Sequence, residues 1–242
     1  MAVQRFTVKQ YLDSFNELPL PNGDEIEIVD SSEAIKNLTV DDIQGLAGNR
    51  VTLLNAIDNT LALNFAQFEA LGSVGFSAED KVILRDTQDT LQIRLNAEWI
   101  QALSQKGFSV IDVEGVLEEN PIGITTATAM ALLASDLAFD ESDSVNVQDN
   151  GKLGFNFFSA PEIMALGSKG IDSISFVVET DLYPIKLGAV QAKALADSGI
   201  SLGANAFRIL ADDERTSPDC RQLYLPSSRP EALSPSMHWI MC

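Results

Sequence analysis

Histidine and cysteine are almost missing from this 242-residue chain. The single histidine, His238, and both cysteines, Cys220 and Cys242, lie beyond Asp213. A Ser-His-Asp relay, a cysteine nucleophile or a His/Cys zinc cluster therefore cannot be built in the preceding body of the chain. Neither a Walker A loop nor a G-x-G-x-x-G turn is present. Basic residues are also few, 16 against 35 acidic ones, for a net charge of -19. That charge repels phosphate backbones and anionic headgroups, which argues against nucleic acid as a partner. No apolar run reaches the roughly 18 residues of a membrane span, so membrane insertion is not expected. The opening MAVQRFTVKQYLDSFNELPL has no apolar core of a cleavable signal. The address expected is extracellular or cell-surface by a route without such a signal, with the cytoplasm as the alternative.

What the chain does have is internal repetition. An apolar-x-apolar pair recurs at Leu61/Leu63, Leu91/Ile93, Ile122/Ile124, Leu153/Phe155 and Ile185/Leu187, 30 to 32 positions apart by residue number. In frame with it runs Ala-Leu-x-x-x-Gly, as ALGSVG, ALSQKG, ALGSKG and ALADSG ending at Gly75, Gly107, Gly170 and Gly199. LLASDL, ending at Leu137, holds the frame without the glycine. A period of this size marks units too small to bury their own apolar face, which stack on their neighbours.

Each unit reads as strand, helix, loop, strand and turn. LALN before Asn64 is a short strand, and Asn64 is an N-cap. Phe65, Phe68 and Leu71 share one helical face, with Trp99 in the same pattern one unit later and expected in the core. Gly75 is expected to close its helix in the left-handed region. KVILRD, SVIDV, SVNV, SISFVV and AFRIL read as buried strands, with Thr87 to Thr90 as a turn. EIEIVD at Glu25 to Asp30 alternates as a strand. Parallel strands joined through helices cross over right-handed. The expected fold is therefore α/β: a right-handed solenoid of strand-helix-strand repeats with parallel sheets, over residues 1–213. Residues 1–37 form a degenerate cap, and 214–242 an irregular, proline-broken tail that either covers the solenoid's end or is foreign to the repeat protein.

AQFEALGSVG (Ala66 to Gly75), VIDVEG (Val110 to Gly115) and IDSISF (Ile171 to Phe176) resemble the Ala/Leu-rich repeats of large acidic bacterial secreted or surface proteins, often found beside RTX-type calcium repeats. The resemblance spans Leu38 to Asp213, and the RTX nonapeptide itself is absent. It implies a structural or binding module within a larger exported or surface protein, facing a protein or polysaccharide.

Acidic residues recur near the strand ends: Asp30, Asp58, Asp86 or Asp89, Asp112, Asp149, Asp181 and Asp212. Two readings stand for this column. Aspartates are common turn formers that bond their own backbone. Stacked oxygen ligands are also what Ca²⁺ requires, with Asp86, Asp89, Asp112, Asp149 and Asp181 as the candidate ligands and Ca²⁺ the only cofactor considered. Glu118-Glu119 and Asp140-Glu141-Ser142-Asp143 could add oxygens without EF-hand spacing. No catalytic residue is assigned. The expectation is a non-enzymatic scaffold or binding module. The alternatives are a carbohydrate-active enzyme with paired carboxylates on a solenoid face, or a calcium-stabilised secretion module.

Overall fold

A short helix gains little from its own hydrogen bonds and depends on having its first N–H groups satisfied. Here nearly every helix is entered through a small polar residue with extended backbone. In the computed structural model, which describes residues 3–14, 25–115, 120–149, 158–176, 185–203 and 207–210, the side chains of Ser31, Thr39, Asn64, Thr87, Asn96 and Thr125 each accept the backbone N–H three residues on. Thr39/Asp42 and Asn64/Gln67 close reciprocal capping boxes. The helices so started are α2 (Ser32–Lys36), α3 (Val40–Gly48), α4 (Phe65–Ala70), α5 (Gln88–Arg94), α6 (Ala97–Lys106) and α7 (Thr126–Leu133), after a first helix α1 (Val8–Ser14). Two more follow, α8 (Ala160–Ser168) and α9 (Ala189–Ser198).

The chain divides into two compact units, residues 1–145 and 146–242. In the first, two parallel four-stranded sheets alternate with the helices. One has the order β1 (Val3–Phe6), β2 (Glu25–Asp30), β3 (Val51–Ala56), β5 (Gly75–Phe76). The other has the order β4 (Thr60–Leu63), β6 (Lys81–Thr87), β7 (Phe108–Glu114), β9 (Ala138–Phe139). Strand β8 (Ile122–Thr125) leads into α7. In the second unit β10 (Val145–Asp149) pairs in parallel with β11 (Ser173–Phe176), and β12 (Ile185–Gly188) with β13 (Phe207–Leu210).

Register aligns like with like. Phe6, Ile28, Leu54 and Phe76 stand side by side across the first sheet, and Leu63, Leu84, Ile111 and Phe139 across the second. Against these rows the helices bury Ile35, Ile43, Leu46, Phe65, Leu71, Ile100 and Leu103, each at 1% exposure or less. Trp99 packs edge-on against Phe65 and Phe68, with ring centroids 5.0 and 5.7 Å away, but it is only half-buried and borders this core instead of lying inside it.

Sequence period and structural period differ. Leu61/Leu63, Ile122/Ile124 and Ile185/Leu187 lie in strands, but Leu91/Ile93 lies in helix α5, and Thr87 to Thr90 is the capped start of that helix rather than a turn. Leu153/Phe155 lies outside the described residues. The cause is the cap: Thr87 accepts the Thr90 N–H, and Leu91 is then buried as a helical residue. The helices accordingly pack in pairs, α3 with α4, α6 with α7 and α8 with α9. The first members start at Thr39, Asn96 and Ser159, 57 and 63 positions apart by residue number, and the second at Asn64, Thr125 and Gly188, 61 and 63 apart. Two successive sequence repeats make one structural repeat.

Copies one and two match in detail. Both sheets break register at the same place, Ile26/Glu27 and Val82/Ile83. Both support the break with a hydroxyl from the next strand, Thr52 Oγ1 donating to the Ile26 carbonyl and Ser109 Oγ to that of Val82, each at 3.3 Å.

The glycine column needs one correction. Gly107, Gly170 and Gly199 do take positive φ after their helices, but Gly75 does not. Helix α4 ends at Ala70, the left-handed residue is Gly72 (φ +52°), and Gly75 sits in strand β5. At the equivalent place after α3 stands Arg50, with φ +63°.

Candidate functional site

Among the described residues, three of the strand-end carboxylates, Asp30, Asp58 and Asp86, bond the backbone at the start of a helix that precedes them in the chain. Asp30, ending β2, accepts the Val8 N–H that starts α1 at 3.0 Å and the Ser31 N–H at 2.8 Å. Asp86, its counterpart in β6, accepts the Phe65 N–H that starts α4 at 3.0 Å and the Thr87 N–H at 2.8 Å. Each carboxylate thus meets the positive end of a helix earlier in the chain. Asp58 does the same for α2, taking the Ser32 N–H at 3.1 Å and its hydroxyl at 2.6 Å. Those Ser32 bonds hold the Asp58 carboxyl below its ordinary pKa.

The remaining candidates have separate tasks. Asp89 lies exposed in the first turn of α5, where a negative charge complements the helix dipole. Asp112, in β7, is bound by the guanidinium of its cross-strand partner Arg85, with the Arg85 Nε 2.8 Å from Oδ2. The backbone of Asp149 pairs with Phe176. Its side chain lies outside what is described, as do Asp181, Asp212 and Glu118-Glu119. Among the described residues, no group of three or more Asp, Glu, His or Cys side chains is arranged to hold a metal ion.

A second set of carboxylates escaped the sequence reading in part. Asp80 and Asp143 sit at equivalent corners, where the chain leaves one sheet for the next. Asp80 accepts the Ala56 N–H at the end of β3, 3.0 Å away. Asp143 accepts the Val113 N–H in β7 with both oxygens, 3.2 Å from each. Asp143 is only 7% exposed. Burial, with Asp112 and Asp140 nearby, pushes its carboxyl up to about 6. Asp80 is likewise raised by burial, with Asp58 and Glu79 adding to the rise. Asp140 is lowered by the Ser142 N–H and hydroxyl, which it accepts at 3.1 and 2.8 Å. The acidic run around Asp140 was visible in the sequence, but Asp80 was not singled out. The available signal was the shared F-x-x-x-D of Phe76/Asp80 and Phe139/Asp143.

Polar side chains also join segments about 30 residues apart in the chain. Gln67, 5% exposed, donates from one Nε2 to the carbonyls of Lys36 and Leu38, both at 2.8 Å, while its Oε1 accepts the Asn64 N–H. Gln191 repeats this in the second unit, bonding Phe158 O at 2.8 Å and the Gly188 N–H at 3.0 Å. In the middle copy, where Thr128 replaces the glutamine, Gln92 of α5 bonds both the N–H and the carbonyl of Gly123 at 2.8 Å.

Compared with known families, curated proteins and solved structures, the chain matches none. Among the described residues, no helix is long and apolar enough to cross a membrane.

Proposed function

We propose that the chain is a non-enzymatic scaffold or binding module, a right-handed α/β solenoid belonging to a larger bacterial exported or cell-surface protein and presenting a protein- or polysaccharide-binding face. The observation that supports this reading is the engagement of the strand-end carboxylates: Asp30, Asp58, Asp80, Asp86 and Asp143 each hold backbone N–H groups of a neighbouring coil. Side chains bound in this way join repeats. Extended repeat surfaces of such stacks commonly bind macromolecules.

An enzyme with paired carboxylates would need two of them free to face a substrate. Asp112 and Asp143 are neighbours, but Arg85 holds the first, and the second is buried on the Val113 N–H. A calcium module would need Asp86, Asp89, Asp112, Asp149 and Asp181 to give oxygens to a metal instead.

Thermal unfolding of the purified chain in millimolar Ca²⁺ and in chelator tests the choice. The scaffold reading expects equal melting temperatures. A native-state ligand at a hundredfold its dissociation constant adds about 2.7 kcal/mol, and a rise in melting temperature of that order would move the aspartate column to metal binding.

A further inference from the structure

We propose that the turn between β9 and β10, docked on the end of β7, is a proton-operated latch, built on Asp143 and echoed at Asp80, that holds residues 1–145 more firmly in mild acid than at neutral pH. The geometry carries this. Asp143 is enclosed, and its carboxylate accepts the Val113 N–H with both oxygens, with a further, weaker backbone bond from Asp140. The charged groups facing it are carboxylates: Asp112 from β7 and Asp140 from its own turn. The adjacent cation, Arg85 on β6, is committed to Asp112, and Arg85 and Lys81 act favourably on Asp140. At neutral pH the latch therefore buries a negative charge among negative charges.

Asp80 has the same construction. It faces Asp58 and Glu79, and its Oδ1 is buried with no hydrogen-bond partner among the described residues. Asp80 lies six positions before Asp86, as Asp143 lies before Asp149 by residue number, so the device repeats with the doublet.

Protonation removes the repulsion and the desolvation cost while leaving an oxygen to accept the Val113 N–H. The sign is opposite to that of a salt-bridged carboxylate. A group whose pKa is raised on folding takes up a proton in the native state first, so stability grows as pH falls from about 7 through 6 and toward the ordinary value. From a native value of about 6 against 3.8 unfolded, the unfolding equilibrium constant should fall about tenfold between pH 7 and pH 5.

Urea unfolding of the full chain at pH 7 and pH 5 reads this directly in the wild type, Asp143→Asn, Asp80→Asn and Asp136→Asn. Asp136 is exposed, so its variant controls for the change in net charge. The latch predicts that Asp143→Asn is more stable than wild type at pH 7 and loses about tenfold of the pH response. Asp80→Asn should shift the same way by less, and Asp136→Asn should keep the wild-type response. An Asp143→Asn chain that is less stable at pH 7, or that keeps the full pH response, overturns the proposal. A measurement on the wild type protects against a variant that does not fold: the side-chain carboxyl carbon of Asp143, followed by NMR, should titrate near pH 6. Its exchange-corrected Val113 amide should become more protected from pH 7 to 5. Titration below pH 4, or unchanged protection, also sinks the idea.

Discussion

Residues 25–76 and 81–139 are two builds of one plan, and they satisfy the same backbone with different chemistry. At the first position after the register break, the earlier copy places Glu27 and the later one Ile83, at 5% and 7% exposure. Glu27 is held by Arg5 at 2.7 Å from β1 and by Asn55 at 2.8 Å from β3. Ile83 instead lies between Ala62 and Val110, and the ion pair has moved two residues along to Arg85–Asp112. The third copy takes a neutral course: Asn146 donates to Ser175 at 2.9 Å and accepts from Ser173 at 3.1 Å. The strand geometry accepts a charged, an apolar or a neutral polar residue here, provided its cross-strand neighbours match it.

Exchanging the two solutions should expose how unequal they are. Ile83→Glu puts a carboxylate between an alanine and a valine, and should cost about 3–5 kcal/mol in urea unfolding, because a buried charge is left unpaired. Adding Ala62→Arg, at the site equivalent to Arg5, should recover much of that loss. Glu27→Ile should be the milder change, within about 1–2 kcal/mol of wild type, because the Arg5 side chain it leaves unpaired is 71% exposed and stays hydrated. If Ile83→Glu is as mild as Glu27→Ile, the matching of neighbours does not matter and the comparison fails. The copies also differ in strong acid. Asn55 and Arg5 hold Glu27 below its ordinary pKa, so the stability it contributes is present above that ordinary value and is lost as pH falls through the lowered one.

The glutamine clamp separates the copies next. Gln67→Ala leaves the Lys36 and Leu38 carbonyls without their shared donor and opens the α4 capping box, a loss of about 2–3 kcal/mol. Thr128→Ala, at the matching position of α7, should cost about half as much or less, because Gln92 supplies the link to that coil from another helix. Equal losses would mean that the buried amide of Gln67 contributes nothing beyond its cap. The smallest contrast is at the helix ends. Gly107→Ala forces a side chain into a residue at φ +96°, at about 1 kcal/mol. Arg50→Gly relieves φ +63° in the copy that lacks the glycine, and should raise stability by about 0.5–1 kcal/mol. Melting temperatures moving in opposite directions would confirm that the two positions are the same joint.

The parts of this fold that are legible in sequence are those set by near neighbours. The Asn64 cap reads three residues ahead, Phe65, Phe68 and Leu71 share a face within two turns, and KVILRD carries its own strand signal in Val82, Ile83 and Leu84. Leu91 and Ile93 misled because an apolar-x-apolar pair fits either a strand or one helical turn, and only the Thr87 cap decides between them. Gly75 misled because a glycine just beyond a helical pattern resembles a cap, although Gly72 had already turned the chain. The candidate site was half visible. Asp30, Asp58 and Asp86 follow apolar runs or turns and could be read as turn residues, but their bonds to Val8, Ser32 and Phe65 cross 21 to 26 residues.

Sequence alone determined the alternation of strand and helix, the parallel α/β class and the acidic character of the strand ends, because these depend on side-chain periodicity and composition within a few residues. Tertiary structure alone decided that repeats act in pairs, that Glu27 can be buried where Ile83 is, and that Asp143 is buried and Asp80 half-buried. Each of those outcomes depends on which side chain a segment more than twenty residues away in the chain delivers to the same place.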